Sequence, residues 1–223
     1  MIRGSEAAEV WGKAGVRGSD MLDIETARVV GKGLHRVCYA HPQDENLCIK
    51  VLLPLESKAR LIEAVREVGY YRLLEKRGIP WTMLPKFHGE VLTSRGPGYV
   101  FDLIRDYDGG VSQTLGHYLA SSLETERHAE ELAMSFDLLR DYLLQWKIIT
   151  MTIKAKNILY HRIGKNEGRL VIVDNIGNSD FIPICNYVDF LAERKIRRKW
   201  RRFEAVLRKE YPQNTFVQQR FNP

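Results

Sequence analysis

The run Asp106-Tyr-Asp-Gly-Gly110 is the sharpest break in composition along the chain, and it divides two kinds of periodicity. Before it, short apolar runs of strand length alternate with turn residues. Beyond it, longer stretches repeat their apolar residues at helical spacing. A chain patterned this way is expected to fold as a strand-rich segment joined to a mainly helical one, with 106–110 as an inter-lobe linker. Its 223 residues suffice for one large domain or for two small lobes sharing a cleft.

On the strand-rich side, apolar runs at 26–30, 36–40 and 47–53 are separated by Gly31-Lys-Gly33 and by His41-Pro-Gln-Asp-Glu-Asn46. Such turn chemistry predicts a three-stranded antiparallel meander. Ser57 precedes a helix to about Lys76, with Leu61, Val65, Val68 and Leu73 at helical spacing and Gly78-Ile-Pro80 as its stop. Two more strands are expected over 86–92 and 98–104. Past the linker, 115–122 and 127–147 read as helices, the second carrying Leu132, Phe136, Leu139, Leu143 and Trp146 on one face. A loop flowing into a short strand follows over 148–159, then a turn at 164–168, an apolar strand at 170–173, and a closing helix or helix pair over 184–210. Residues 1–20 are polar and glycine-rich; they read as a mobile arm or a start-site artefact, with Met21 as an alternative start. The expected organisation is an arm over 1–20, an N-lobe over 21–105 and a C-lobe over 106–223.

No run approaches the roughly 18 to 20 apolar residues of a membrane span, and the first twenty residues lack the pattern of a signal peptide. A cytoplasmic protein is expected. Cys38, Cys48 and Cys185 are odd in number and widely spaced, which suggests neither a disulfide framework nor a zinc knuckle. The six histidines show no metal-ligand spacing and read as structural or surface residues. Net charge is +6, yet residues 194–209 hold nine Lys and Arg, Lys209 the last, against one Glu. The remainder is therefore slightly acidic, which argues against specific DNA binding over the whole surface.

Wound as a helix, Arg194-Lys-Ile-Arg-Arg-Lys-Trp-Arg-Arg-Phe203 puts Ile196, Trp200, Phe203 and Leu207 on one stripe and cations elsewhere. Two readings stand: a helix that packs its stripe and solvates its charges, or an anchor for an anionic membrane, an acidic partner or RNA.

Four residues carry the chemistry. A strand lysine, Lys50, followed 17 residues later by a helix glutamate, Glu67, suits an ammonium held against the α and β phosphates of ATP. Asn157, in a Lys-x-x-Asn loop, and Asp174, ending an apolar strand, offer hard oxygens suited to Mg. Each alone has a plain alternative, a solvated strand lysine or a turn Asp or Asn. Their order along the chain is what favours chemistry.

In that order the chain resembles the protein-kinase superfamily, through Gly31-Lys-Gly33-Leu-His-Arg, Cys48-Ile-Lys50, Ile153-Lys-Ala-Lys-Asn157 and Asp174-Asn-Ile-Gly177. More narrowly, His35-Arg-Val-Cys-Tyr-Ala-His-Pro42, Ile149-Thr-Met151, Lys154-Ala-Lys-Asn-Ile-Leu159 and Asp174-Asn-Ile-Gly177 resemble the YrbL family of bacterial proteins, described as members of a PhoP regulatory network. The resemblance implies an α+β, bilobal, protein-kinase-like fold binding ATP and Mg. It implies that Gly31 and Gly33 shape a lid, that Lys50 clamps phosphates and Glu67 orients it, and that adenine lies against Phe101 and Leu103. Asn157 and Asp174 would hold the metal, with Lys154 near the γ phosphate.

The chain also departs from the kinase pattern. Where active kinases read His-Arg-Asp, this chain reads Thr150-Met-Thr152, and a neutral hydroxyl at Thr152 is too weak a base to replace a carboxylate. Asp180 is a speculative stand-in. Arg36 occupies the third glycine position, and 46 residues follow Gly177 without an Ala-Pro-Glu segment, so a small-molecule, lipid or other non-peptide acceptor fits better than a peptide. Three functions are carried forward: an atypical ATP-dependent phosphotransferase, a pseudokinase serving as a nucleotide-dependent regulatory module, and a basic-tailed adaptor with a vestigial cleft.

Overall fold

The structure is a computed structural model that describes residues 21–33, 36–53, 58–178 and 184–222. Two compact units divide the described residues, one drawn from those between 21 and 53 and from 87–103, the other from 58–86 and from those between 104 and 222.

The first unit is a five-stranded antiparallel sheet in the order β1-β2-β3-β5-β4. Its strands are β1 (Val29–Lys32), β2 (Arg36–Ala40), β3 (Leu47–Leu52), β4 (Phe87–Thr93) and β5 (Gly96–Asp102). Period-2 alternation sorts the side chains. Val37, Tyr39, Ile49, Val51 and Val100 share one face and pack with Ile24 as a buried core. Cys38, Cys48, Lys50, Tyr99 and Phe101 alternate with them on the other face. Gly98 lies opposite Val51, and a Cβ there would meet Ile49 Cγ2 at 2.6 Å, so Ile49 fills the space a side chain would take.

Two of the predicted strands shift by two residues or more. The strand expected over 26–30 begins at Val29, because the Ala27 amide donates to Ile24 O (3.1 Å) and closes a turn first. The strand expected over 98–104 runs from Gly96 to Asp102; the Leu103 amide leaves the ladder and donates to Asn46 O (2.7 Å).

The second unit carries α1 (Lys58–Lys76), α2 (Leu115–Leu119), α3 (Ser122–Arg127), α4 (Ala129–Gln145), the hairpin β6 (Ile158–Gly164) and β7 (Glu167–Ile172), α5 (Asp189–Glu210) and α6 (Thr215–Arg220). The helix expected over 115–122 ends at Leu119, and a separate helix, Ser122–Arg127, fills the gap expected before 127, because Ser121 leaves helical backbone and its hydroxyl accepts from the Glu124 amide (3.3 Å). Ser121-Ser-Leu-Glu124 is thus a helix start inside the predicted span. The closing helix of the sequence reading is followed by α6, capped by Asn214, whose Oδ1 accepts from the Val217 amide (3.0 Å).

Packing in this unit centres on Phe136, whose ring meets those of Trp200, Phe203, Phe216 and Phe221 at centroid distances of 5.0–6.5 Å. The stripe Ile196, Trp200, Phe203 and Leu207 is buried, so α5 packs its apolar face as the first of its two readings had it. Residues 106–110 form a closed turn within this unit: the Asp106 amide donates to Gly110 O (2.8 Å) and Arg105 bridges Val111. Among the described residues no helix is long and apolar enough to cross a membrane.

Candidate functional site

In the first unit, Lys50 is the fourth residue of β3, flanked in register by Cys38 on β2 and Tyr99 on β5. It is buried, and its ammonium lies 4.2 Å from the centre of the Phe101 ring. A desolvated ammonium over an aromatic face is attracted by the ring quadrupole, which holds its charge in place at little entropic cost. Phe101 is therefore tied to Lys50, a contact the sequence did not suggest. Cys48 lies on the same face, and its thiol pKa is raised well above the usual range by a hydrogen bond with Cys38 and by burial. Leu103 follows the sheet as a buried residue.

Gly31 pairs with Cys38 across the β1–β2 hairpin, whose turn closes through the Gly33 amide donating to Arg36 O (2.8 Å). A Cβ at Gly31 would come no nearer than 3.8 Å to Cys38 Cβ, and one at Gly33 no nearer than 3.5 Å to Arg36 O. Among the described residues, packing requires neither glycine.

In the second unit, the structure brings Thr152, Asn157 and Asp174 onto two interlocked loops. Thr150 and Ile176 form a bridge, the Met151 amide donates to Asn175 O (2.7 Å) and the Gly177 amide to Ile149 O (2.9 Å). Asn175 Nδ2 then donates to Thr152 Oγ1 at 3.0 Å. The Val173 amide donates to Asn157 O at 2.9 Å, which sets Asn157 beside the strand end that carries Asp174. Two residues make this crossing possible: Asn175 at φ +63° and Gly177 at φ +129°. Asn tolerates the left-handed region through its short polar side chain; the second conformation is open mainly to glycine.

Lys154 is exposed just before the 3-10 turn Ala155–Asn157. Glu67 is buried on α1. Asp180 and His35 lie outside the described residues.

The sequence reading missed the residues that hold these loops. From α1, the Tyr70 hydroxyl accepts from the Ile149 amide (2.8 Å) and donates to Lys147 O (3.4 Å), and its ring lies under Gly177. Burial raises the Tyr70 pKa, keeping the hydroxyl protonated for that donation. From α5, Lys195, which is buried, donates to Asn178 Oδ1 (2.5 Å), and Lys199 Nζ donates to Met151 O. Their only signal was membership of a basic run.

A third tie fixes the hairpin that supports both loops. Asp106 is buried and accepts from Ser112 Oγ (2.5 Å), from the Arg162 amide (3.0 Å) and from Arg162 Nε (2.7 Å). Arg162 also reaches Asp108, whose carboxyl is held below the usual range by the Gly110 amide first and by Arg162 second.

An amide oxygen and a carboxylate on neighbouring backbones fit a magnesium ion whose remaining ligands are phosphate oxygens and water. Among the described residues no group of three or more His, Cys, Asp or Glu converges on a point. Asn157 and Asp174 would hold the ion; its chemistry there would be to neutralise phosphate charge.

Residues 22–208 match the family described as PhoP regulatory network protein YrbL. The chain is 38% identical over 185 residues to an uncharacterized YrbL protein of Escherichia coli strain K12, an overlap of 83% of this chain and 87% of that protein. It has the same identity and coverage against the uncharacterized YrbL protein of Shigella flexneri. The match takes in β1–β7 and both interlocked loops, and by it the chain belongs to the YrbL family.

Proposed function

We propose that the chain is an ATP- and Mg-binding protein of kinase-like fold and an atypical phosphotransferase acting on a non-peptide acceptor, in keeping with the family's description as a PhoP regulatory network protein. The observation that carries this reading is the pair of interlocked loops, which brings Thr152 and Asn157 beside the loop of Asp174, which follows them by 22 and 17 residues in sequence. Lys50 is the phosphate-contacting cation, in a role suited to an ammonium desolvated on a strand. Gly31 and Gly33 have the role of shaping the lid, and the base lies against the strand at Phe101 and Leu103.

Phosphoryl transfer depends mainly on positioning and charge stabilisation, so Lys154 and the metal residues can support it without a strong base. A second reading rests on Thr152 itself. Its hydroxyl is occupied by Asn175, which suits a nucleotide-dependent regulatory module that transfers nothing.

Two measurements test these readings. Equilibrium binding of ATP with and without Mg should show Mg-dependent affinity that Asp174→Ala lowers by at least tenfold; equal affinity for wild type and variant would remove the metal assignment. Single-turnover incubation with γ-labelled ATP then separates transferase from regulatory module: label leaving ATP only in the wild type supports the first, and intact ATP at saturation the second.

A further inference from the structure

Beside Thr152 and Lys154, within the second unit, lies a cavity of about 620 Å³ bounded by the loop 152–156 and one side of α5. That volume is in the range of small-molecule sites. Spacing explains the wall: Arg198, Arg202, Val206 and Glu210 recur every four residues and so share one helix face, next to the buried stripe. Lys154 and Lys156 face them from the loop, and Lys199 borders the cavity while donating to Met151 O. Five cations therefore line it against one acid, Glu210, among the described residues. None of Lys154, Lys156, Arg198 and Arg202 has a carboxylate within ion-pair distance among the described residues. Phe203, Val206 and Tyr211 supply an apolar side.

We infer that this cavity is the acceptor site and that the acceptor is a phosphate monoester, an inference that rests on the phosphotransferase reading above. Two independent features meet here. The wall is built for a dianion, since Arg offers a planar fork that matches phosphate oxygens. The adjoining loop has Thr152 where a proton-accepting carboxylate would be needed for an alcohol acceptor. A phosphate monoester near neutral pH is largely ionised, with its second pKa near 6, so its attacking oxygen carries no proton to remove.

The step then balances without a base. A bond forms between an acceptor phosphate oxygen and the γ phosphorus of ATP, the bond from the γ phosphorus to the β–γ bridging oxygen breaks, and ADP leaves with that electron pair. The products are the acceptor's diphosphate and ADP, with the total charge unchanged and no proton exchanged. An uncharged hydroxyl acceptor would leave Lys156, Arg198 and Arg202 without a use and a proton without a destination.

The test uses the full chain and phenyl phosphate, which combines the dianion with a ring for the Phe203 side, measured by calorimetry beside Mg-ATP. Phenyl phosphate should bind, and the pair Arg198→Gln and Arg202→Gln, both exposed positions, should weaken it at least tenfold with Mg-ATP affinity unchanged. Lys50→Ala should do the reverse. Vesicles of phosphatidic acid, which carry the same monoester as a lipid headgroup, separate a lipid source from a free one: binding to them as tight as to phenyl phosphate, with the same loss on substitution, assigns the lipid. No phenyl phosphate binding at millimolar concentration, binding indifferent to the two arginines, or tighter arginine-dependent binding of a short single-stranded RNA would each overturn the inference. If wild type binds phenyl phosphate but not Mg-ATP, the function reading fails and the acceptor role falls with it; if it binds only Mg-ATP, this inference alone fails.

Discussion

Two of the molecule's glycine-bearing hairpins behave differently. In β1–β2, the motif glycine Gly31 has ordinary space around it and no unusual backbone angle, so the fold does not ask for glycine there. In β6–β7, Gly168 belongs to no motif, yet a Cβ there would fall 2.2 Å from the Tyr160 hydroxyl oxygen and 2.3 Å from its ring, so the Tyr160 ring occupies the place of a side chain. The second hairpin is pinned at its glycine by the Tyr160 ring and beside it by Asp106–Arg162. A glycine that packing demands is a structural glycine. One that packing leaves optional is where close approach of a ligand to backbone can be sought.

The largest expected effect breaks the pinned hairpin. Asp106→Ala leaves the Arg162 guanidinium without its buried partner and should destabilise the protein by about 3–5 kcal/mol, read as a shifted denaturant midpoint; a loss under about 1 kcal/mol would mean the pair is solvated and does not hold β6. Gly168→Ala forces Tyr160 to move and should cost about 1–3 kcal/mol. Unchanged stability would show that the ring yields freely and that the contrast between hairpins is empty.

Gly31→Ala sharpens the comparison from the other side. It should alter stability by no more than about 0.5 kcal/mol while weakening Mg-ATP binding, and an equal affinity would remove the first hairpin from the nucleotide reading. The smallest effect concerns His161 on β6. Burial lowers its pKa from the ordinary 6.5. The unfolded chain therefore takes up the proton first as pH falls, and stability is lost from about pH 6.5 downward until the folded-state value is passed. Melting curves from pH 7.5 to 5 should fall less steeply for His161→Gln than for the wild type; parallel curves would show that the imidazole titrates as it does in water.

What the sequence reveals and what it hides follow one physical distinction. Local patterns were readable: β2, β3, α1 and the buried stripe of α5 come from alternation, turn residues and helical spacing within a few positions. Asn157 and Asp174 could be singled out because each sits beside a periodic strand. The supports of those residues could not. Tyr70 meets Ile149 across 79 positions and Lys199 meets Met151 across 48, and such pairings leave no trace in periodicity. Lys195 and Lys199 were read as part of a charge run, because charge alone does not tell a buried hydrogen-bonding lysine from a solvated one. The capping signal at Ser121 was local and legible but was absorbed into a longer apolar pattern, and the Asn214 cap of α6 lay beyond the closing helix that periodicity marks out.

The most direct test of the central claim is thermal unfolding with and without saturating Mg-ATP, on the wild type, Lys50→Ala and Asp174→Asn. A ligand that binds only the folded chain raises its stability by mass action, by about 2.7 kcal/mol at a hundred times its Kd. The account predicts a Mg-dependent rise in Tm for the wild type that both variants lose, each read against its own melting in the absence of nucleotide. A wild-type Tm that does not move at saturating Mg-ATP would contradict it.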